Sequence, residues 1–204
     1  MSERNMWQIE DSCFSDEIQL ICGVDEAGRG PLAGPVCAAA VILPRNIEIP
    51  ELDDSKKLSD KRRRELVPVI MENAVAYSIA MVDHKTIDEI NILQATFSAM
   101  EKAISGLSVK PDLALIDGNQ SRDFGVPVKT IVHGDSLSAS IAAASVLAKV
   151  TRDDFMVAAA NTYPGYGFEI HKGYGTKAHY AALTELGPCE IHRLTFLRKF
   201  YGKE

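Results

Sequence analysis

Three short apolar runs in this chain each give out on acid beside glycine. Residues 20–24 lead into Asp25, Glu26 and a Gly28-Arg29-Gly30 turn, Leu113-Ala114-Leu115-Ile116 leads into Asp117-Gly118-Asn119, and Ile131-Val132-His133-Gly134 leads into Asp135. Apolar runs of this length bounded by turn residues read as strands. In an α/β sheet, strand ends far apart in sequence meet in one crevice. Carboxylates gathered there repel one another unless cations neutralise them. One Asp-Glu pair before a glycine turn is more often a solvated strand end, but the repetition on three runs points to a divalent-metal site made of Asp25, Glu26, Asp117 and Asp135. Its all-oxygen donors favour Mg²⁺ or Mn²⁺ over Zn²⁺.

The remaining pattern supports such a sheet. Residues 20–26 and 35–43 read as strands joined in a hairpin, Ser59-Asp60 caps a helix running to about residue 73, and residues 74–82 return as a third strand. A helix over 86–104, broken near Asn91 and stopped by Gly106, precedes strands at 113–116 and 128–132. Ser138 opens a long helix to residue 160, whose Ala142-Ala143-Ala144-Ser145 face is small enough to lie close to the sheet, a packing feature. A loop with Gly165, Gly167, Gly173, Gly175, Tyr166 and Tyr174 follows, then short helices from Lys177 onward. With 204 residues and 46% hydrophobic content, the chain fits one domain. Its parts are an N-terminal extension (1–19), a core (20–160), and a glycine/tyrosine loop with C-terminal helices (161–204) packed on that core. The expected class is α/β with helices on both faces.

Charge narrows the partners. Twenty-two Lys and Arg against twenty-eight Asp and Glu give a net charge of −6, so the chain does not hold nucleic acid by a bulk positive field. Lys56 and Lys57 stand in a loop just before a helix start, where they are candidates to grip phosphates. Lys149 and Arg152 add positive charge on the long helix, and Arg62 to Arg64 read as a solvated helix face. Asp153 and Asp154, beside Arg152, read as an exposed ion pair or solvated carboxylates. Cys13, Cys22, Cys37 and Cys189 show no CxxC spacing, which suits reduced thiols in the cytoplasm. The five histidines lack a zinc pattern, and His171 and His179 read as structural or substrate-side. The first ten residues are polar, unlike a secretory signal, and the run 36–43 is too short to cross a bilayer.

Six motifs in order carry a family resemblance. They are Gly23-Val24-Asp25-Glu26-Ala27-Gly28-Arg29-Gly30-Pro31, Asp54-Ser55-Lys56-Lys57-Leu58-Ser59, Ile116-Asp117-Gly118-Asn119, Gly134-Asp135-Ser136, the stretch from Ala142 to Asp153, and His171-Lys172-Gly173-Tyr174. On these the chain resembles the bacterial ribonuclease HII family from residue 20 to about 197. The resemblance implies a ribonuclease H-like fold, a five-stranded mixed sheet flanked by helices, with a small helical C-terminal extension. It also matches Asp25, Glu26, Asp117 and Asp135 to the family's metal-binding catalytic carboxylates. Gly28-Arg29-Gly30 matches the turn whose backbone meets the ribose 2′-hydroxyl, and Tyr174 the ring that stacks on the sugar at the RNA-to-DNA step.

The implied reaction is two-metal hydrolysis 5′ of a ribonucleotide, with Mn²⁺ or Mg²⁺. The implied substrates are RNA-DNA hybrids and duplex DNA carrying ribonucleotides, and the implied products bear 3′-hydroxyl and 5′-phosphate ends. The family reading further suggests a cytoplasmic monomer, without a membrane, engaged in ribonucleotide and primer removal. Two positions depart from the family pattern: His133 stands where lysine is common, and Asp53 where asparagine is frequent. Residues 200–204 show no clear sliding-clamp tail. Two rivals are weaker. A nucleotide-binding phosphate loop would need the Gly-Lys-Ser/Thr ending that is missing here, and a non-catalytic hybrid binder would gain by losing acids that face phosphates.

Overall fold

A computed structural model describes residues 5–202; the outermost residues of the N-terminal extension and of the closing tail lie outside that range. Five strands form one sheet in the order β3-β2-β1-β4-β5. β1 (Ile21–Ala27), β2 (Val36–Ile42) and β3 (Ala76–Val82) make an antiparallel meander, whereas β4 (Leu113–Asp117) and β5 (Val128–Ile131) run parallel to β1. The expected hairpin and mixed sheet are both present.

The helices cover both faces. Alternate residues of β2 divide between two cores, as the period of a strand requires. Ala38, Ala40 and Ile42 join Ile87, Ala95 and Met100 of α3 (His84–Ser105), while Cys37, Ala39 and Val41 join Leu66 and Ile70 of α2 (Asp60–Asn73) and Ala143, Ala144 and Leu147 of α4 (Ala139–Thr162). Burial on both sides explains the unbroken apolar run of β2. Gly23 lets α4 approach β1: a Cβ there would come within 2.1 Å of the Ser140 carbonyl carbon. The chain breaks α3 at Asn91 (φ 66°, ψ 165°), whose Oδ1 accepts from the amides of Leu93 and Gln94 and so restarts the helix. Ser59 and Ser138 cap α2 and α4 as their positions predict.

Three placements differ from expectation. The N-terminal extension is not merely a polar lead: α1 (Gln8–Asp11) packs on the core, Trp7 is buried with its indole N–H donating to the Ile47 carbonyl, and buried Glu10 accepts from Ser138 and Ser140 at the start of α4. Asp153 is not solvated. It is buried and paired with Lys149 at 2.7 Å, because its turn of α4 faces inward, whereas Asp154 is exposed and pairs with Arg64. Arg152 is fully buried, so it adds no surface charge.

The C-terminal part forms a third core around Phe168, where α4 meets α5 (Phe168–His171) and α6 (Lys177–Leu186). The short helix α5 interrupts what reads in sequence as one glycine-rich loop.

Candidate metal centre

β1 and β4 are neighbours in parallel register, with Val24 opposite Ile116, so Asp25 and Asp117 emerge side by side at the same end of the sheet. Asp135 arrives from the 3₁₀ turn Gly134–Ser136 that follows β5. Hydrogen bonding ties the turn to the sheet, since the Gly134 amide donates to Asp117 Oδ1 at 2.7 Å. One carboxylate oxygen from each of Asp25, Asp117 and Asp135 lies within 4.8 Å of the others.

Glu26 adjoins this group without joining it. Successive side chains on a strand point to opposite faces, and Glu26 accordingly turns toward α3, sharing a recess with Asp117, Leu93 and Phe97 and meeting Arg29 Nη1 at 3.4 Å. Of the four acids expected together, three therefore converge and the fourth stands beside them.

Electrostatics mark the site as poised for cations. Burial raises the Asp25 carboxyl well above its ordinary value, the charges of Glu26 and Asp117 raise it further, and hydrogen bonds from Ser145 and the Glu26 amide only partly oppose them. Burial also raises Glu26; Arg29 pulls it down and Asp117 pushes it up. Burial alone would depress the Lys56 ammonium, but its hydrogen bond to Asp135 and the nearby Asp25 and Asp54 outweigh that, and it lies above its usual value. A carboxylate cluster in which burial makes Asp25 and Glu26 costly to ionise is a donor set a hard divalent ion would satisfy.

A cleft of about 210 Å³ opens beside the acids. Asp25, Glu26 and Asp117 line it, together with Gly28-Arg29-Gly30, Lys56, Lys149 and Tyr174. Tyr174 is exposed, its ring next to Gly30 and within 6 Å of both Lys149 Nζ and the Arg152 guanidinium. Lys57 is not among the residues lining the cleft; it reaches Ser136 Oγ at 3.1 Å and Asp53 at 3.3 Å. His133 is exposed in a left-handed conformation (φ 58°) just before that turn.

Two contributors went unread in the sequence. Ser145, taken there as part of a packing face, lines the cleft, touches Asp25 and shares a 2.6 Å hydrogen bond with Ser55. Arg193, with no motif around it, is fully buried and donates to the carbonyls of Gly28, Arg29 and Gly34. Serine facing a close-packed strand is a visible signal after the fact; nothing local marks Arg193.

Comparison with known proteins agrees with this geometry. Residues 22–199 match the family model described as Ribonuclease HII. The chain is 53% identical to Ribonuclease HII of Caldicellulosiruptor saccharolyticus over 196 residues, 96% of each chain. Among solved structures, ribonuclease H2 from Pyrococcus horikoshii OT3 is similar at a TM-score of 0.75 and 26% identity, covering 90% of this chain and 98% of that one. The RNase HII of Archaeoglobus fulgidus, solved in complex with PCNA, is similar at a TM-score of 0.74 and 25% identity, covering 86% and 94%.

Proposed function

Because the chain belongs to the ribonuclease HII family of metal-dependent nucleases that act on RNA-DNA hybrids, we propose that it cuts on the 5′ side of a ribonucleotide, both in hybrids and at ribonucleotides embedded in duplex DNA. The products carry 3′-hydroxyl and 5′-phosphate ends. The observation that carries this reading is the approach of Asp25, Asp117 and Asp135 to within 4.8 Å at the edge of a cleft walled by Gly28-Arg29-Gly30 and Tyr174.

The residues fit divalent cations, because their donors are all oxygen and the buried Asp25 carboxyl is costly to ionise without a counter-charge. Asp25, Asp117 and Asp135 would hold them, with Glu26, beside the group on the neighbouring face, as the fourth acid. Paired Mg²⁺ or Mn²⁺ ions bound there would activate water for attack and neutralise charge developing on the departing 3′-oxygen. No side-chain nucleophile is required.

This chain's own groups supply selection and orientation. Amides of the Gly28-Arg29-Gly30 turn meet the 2′-hydroxyl, which DNA lacks, and leaving buried polar groups unpaired costs about 1–3 kcal/mol. Tyr174 stacks on the sugar beside the cut, and Lys56 and Lys57 hold phosphates. The cellular roles that follow are ribonucleotide removal from DNA and RNA-primer removal, by a cytoplasmic monomer. Among the described residues no helix is long and apolar enough to cross a membrane.

The test is duplex DNA carrying one ribonucleotide, incubated with and without Mg²⁺ or Mn²⁺. Metal-dependent nicking at the 5′ side of that nucleotide is expected. Binding without nicking, or cutting at its 3′ side, would refute the reading.

A further inference from the structure

Arg152 and Arg193 are both fully buried, and Arg193 has no carboxylate within salt-bridge distance among the described residues. A buried cation without a counter-ion is expensive unless every donor is satisfied. For Arg193 backbone carbonyls give each guanidinium nitrogen a partner, whereas Arg152 Nη1 makes no hydrogen bond among the described residues and lies 3.9 Å from Asp153 Oδ1. Arg193 donates from Nη2 to Gly28 O at 2.6 Å, from Nη1 to Arg29 O at 3.0 Å and from Nε to Gly34 O at 2.9 Å. Arg152 donates to Ala33 O at 3.2 Å and Pro35 O at 3.3 Å. Burial and the like charge of Arg152 pull Arg193 down to about 9, which leaves it cationic at neutral pH.

The consequence lies on the opposite side of each peptide. No peptide bond in the described residues is cis, and in a planar trans peptide the carbonyl and the next amide point in opposite directions. Holding the Gly28 and Arg29 carbonyls inward therefore turns the Arg29 and Gly30 N–H groups outward, on residues that line the cleft. Among the described residues neither amide donates a hydrogen bond within the protein. Glycines on both sides of Arg29 leave the turn free to adopt other peptide orientations. Glycine at position 28 suits this packing: it has φ +95°, and a Cβ there would fall 2.2 Å from Arg152 Nε.

We propose that Arg193, backed by Arg152, is a positioning residue that sets ribonucleotide preference by fixing the Arg29 and Gly30 amides toward the sugar at the cut. This rests on the proposed function and adds the part of the chain that enforces its selectivity. Lysine keeps the charge but cannot span three carbonyls with a planar fork.

The readout is the ratio of dissociation constants for an all-DNA duplex and the same duplex with one ribonucleotide, measured in EDTA. For the unaltered protein the ribonucleotide duplex should bind roughly tenfold more tightly. In Arg193→Lys the ratio should fall toward one while affinity for the all-DNA duplex stays the same, a pattern that general loss of structure would not produce. An unchanged ratio in Arg193→Lys would overturn the proposal. If that variant shows no cooperative melting, Arg152→Lys decides by the same ratio, with the same two outcomes. A parent protein that neither prefers the ribonucleotide duplex nor nicks it with Mn²⁺ would refute the proposed function itself, whereas a selective, active parent with an equally selective variant would refute only the role of the arginines.

Discussion

Lys56 Nζ lies 3.0 Å from Asp135 Oδ2, an exposed ammonium set on a buried carboxylate at the rim of the acid cluster. The lysine is thus a local counter-charge to one of the acids proposed to hold metal. A divalent ion arriving at Asp135 would compete with it, and the displaced ammonium would become available to a phosphate.

Lys56→Met should therefore act in two directions. Mn²⁺ binding should tighten by roughly two- to fivefold, the scale of an exposed ion pair, while KM for the ribonucleotide duplex rises. Calorimetric titration with Mn²⁺ and initial rates at saturating metal measure the two effects. Weaker Mn²⁺ binding in the variant would show that Lys56 supports the site instead of competing for it.

Asp25 is an acid whose ionisation is costly to the fold. Its carboxyl is raised by burial and by Glu26 and Asp117, so between the ordinary value of 3.8 and the raised one the folded state keeps a proton that the unfolded chain has lost. Stability in EDTA then falls as pH increases through that window. Asp25→Asn removes the charge and should melt higher than the parent at neutral pH in EDTA, with a flatter pH dependence, yet show no cleavage. Added Mn²⁺ should raise the parent's melting temperature more than the variant's. A lower melting temperature for the variant in EDTA would contradict this account of Asp25, and retained turnover would overturn its assignment as a ligand.

Much of this was legible in the chain. Asp25, Asp117 and Asp135 could be grouped from sequence because each ends an apolar run, and strand ends in a sheet of this class share one edge. Glu26 was harder to place: its neighbour Asp25 already points at the cluster, and the two-residue period of a strand sends the next side chain to the other face. Asp153 looked solvated because charge beside charge on a helix usually is; only the packing of α4 against β1 and the C-terminal core reveals that its turn is inside. Arg193 was invisible for a different reason. Its partners, the carbonyls of Gly28, Arg29 and Gly34, are common to every residue type, so no sequence pattern announces a side chain that works through them.

Tyr174 offers a ring and a hydroxyl with different surroundings. The ring sits beside Gly30 with the cations of Lys149 and Arg152 nearby, whereas no hydrogen bond from its hydroxyl occurs among the described residues. Tyr174→Phe should therefore cleave nearly as the parent does. Tyr174→Ala should lose about tenfold or more in kcat/KM on a single-ribonucleotide duplex, the scale of one lost stacking contact. Equal losses in the two variants would shift the function to the hydroxyl.

The segment carrying Tyr174 is fastened by a hydrogen-bonded group of histidines. His179 Nδ1 lies 3.0 Å from the Tyr174 carbonyl and so carries the proton, which leaves its Nε2 to accept from His192 Nε2 at 3.0 Å. His192 Nδ1 in turn accepts from the Cys189 amide at 2.9 Å, and His171, stacked on His179, accepts from the Gly173 amide through Nδ1 while Nε2 faces the Tyr166 carbonyl. A further proton on His179 or His192 would set one N–H against another. Burial lowers His192 to about 4, with His179, His84, His171 and the Cys189 thiol, 3.1 Å from its Nδ1, as its titratable neighbours, and burial lowers His179 as well. Between the ordinary 6.5 and about 4 the unfolded chain holds a proton at His192 that the folded state lacks, so this contribution to stability is complete above that window and is lost as pH falls through it. The melting temperature should drop by several degrees from pH 7 to pH 4.5. His192→Gln, which keeps a donor toward His179 but cannot titrate, should show a shallower drop. Thermal melts of both proteins across that range measure the slopes, and parallel curves would mean that the acid sensitivity of the fold arises outside this histidine.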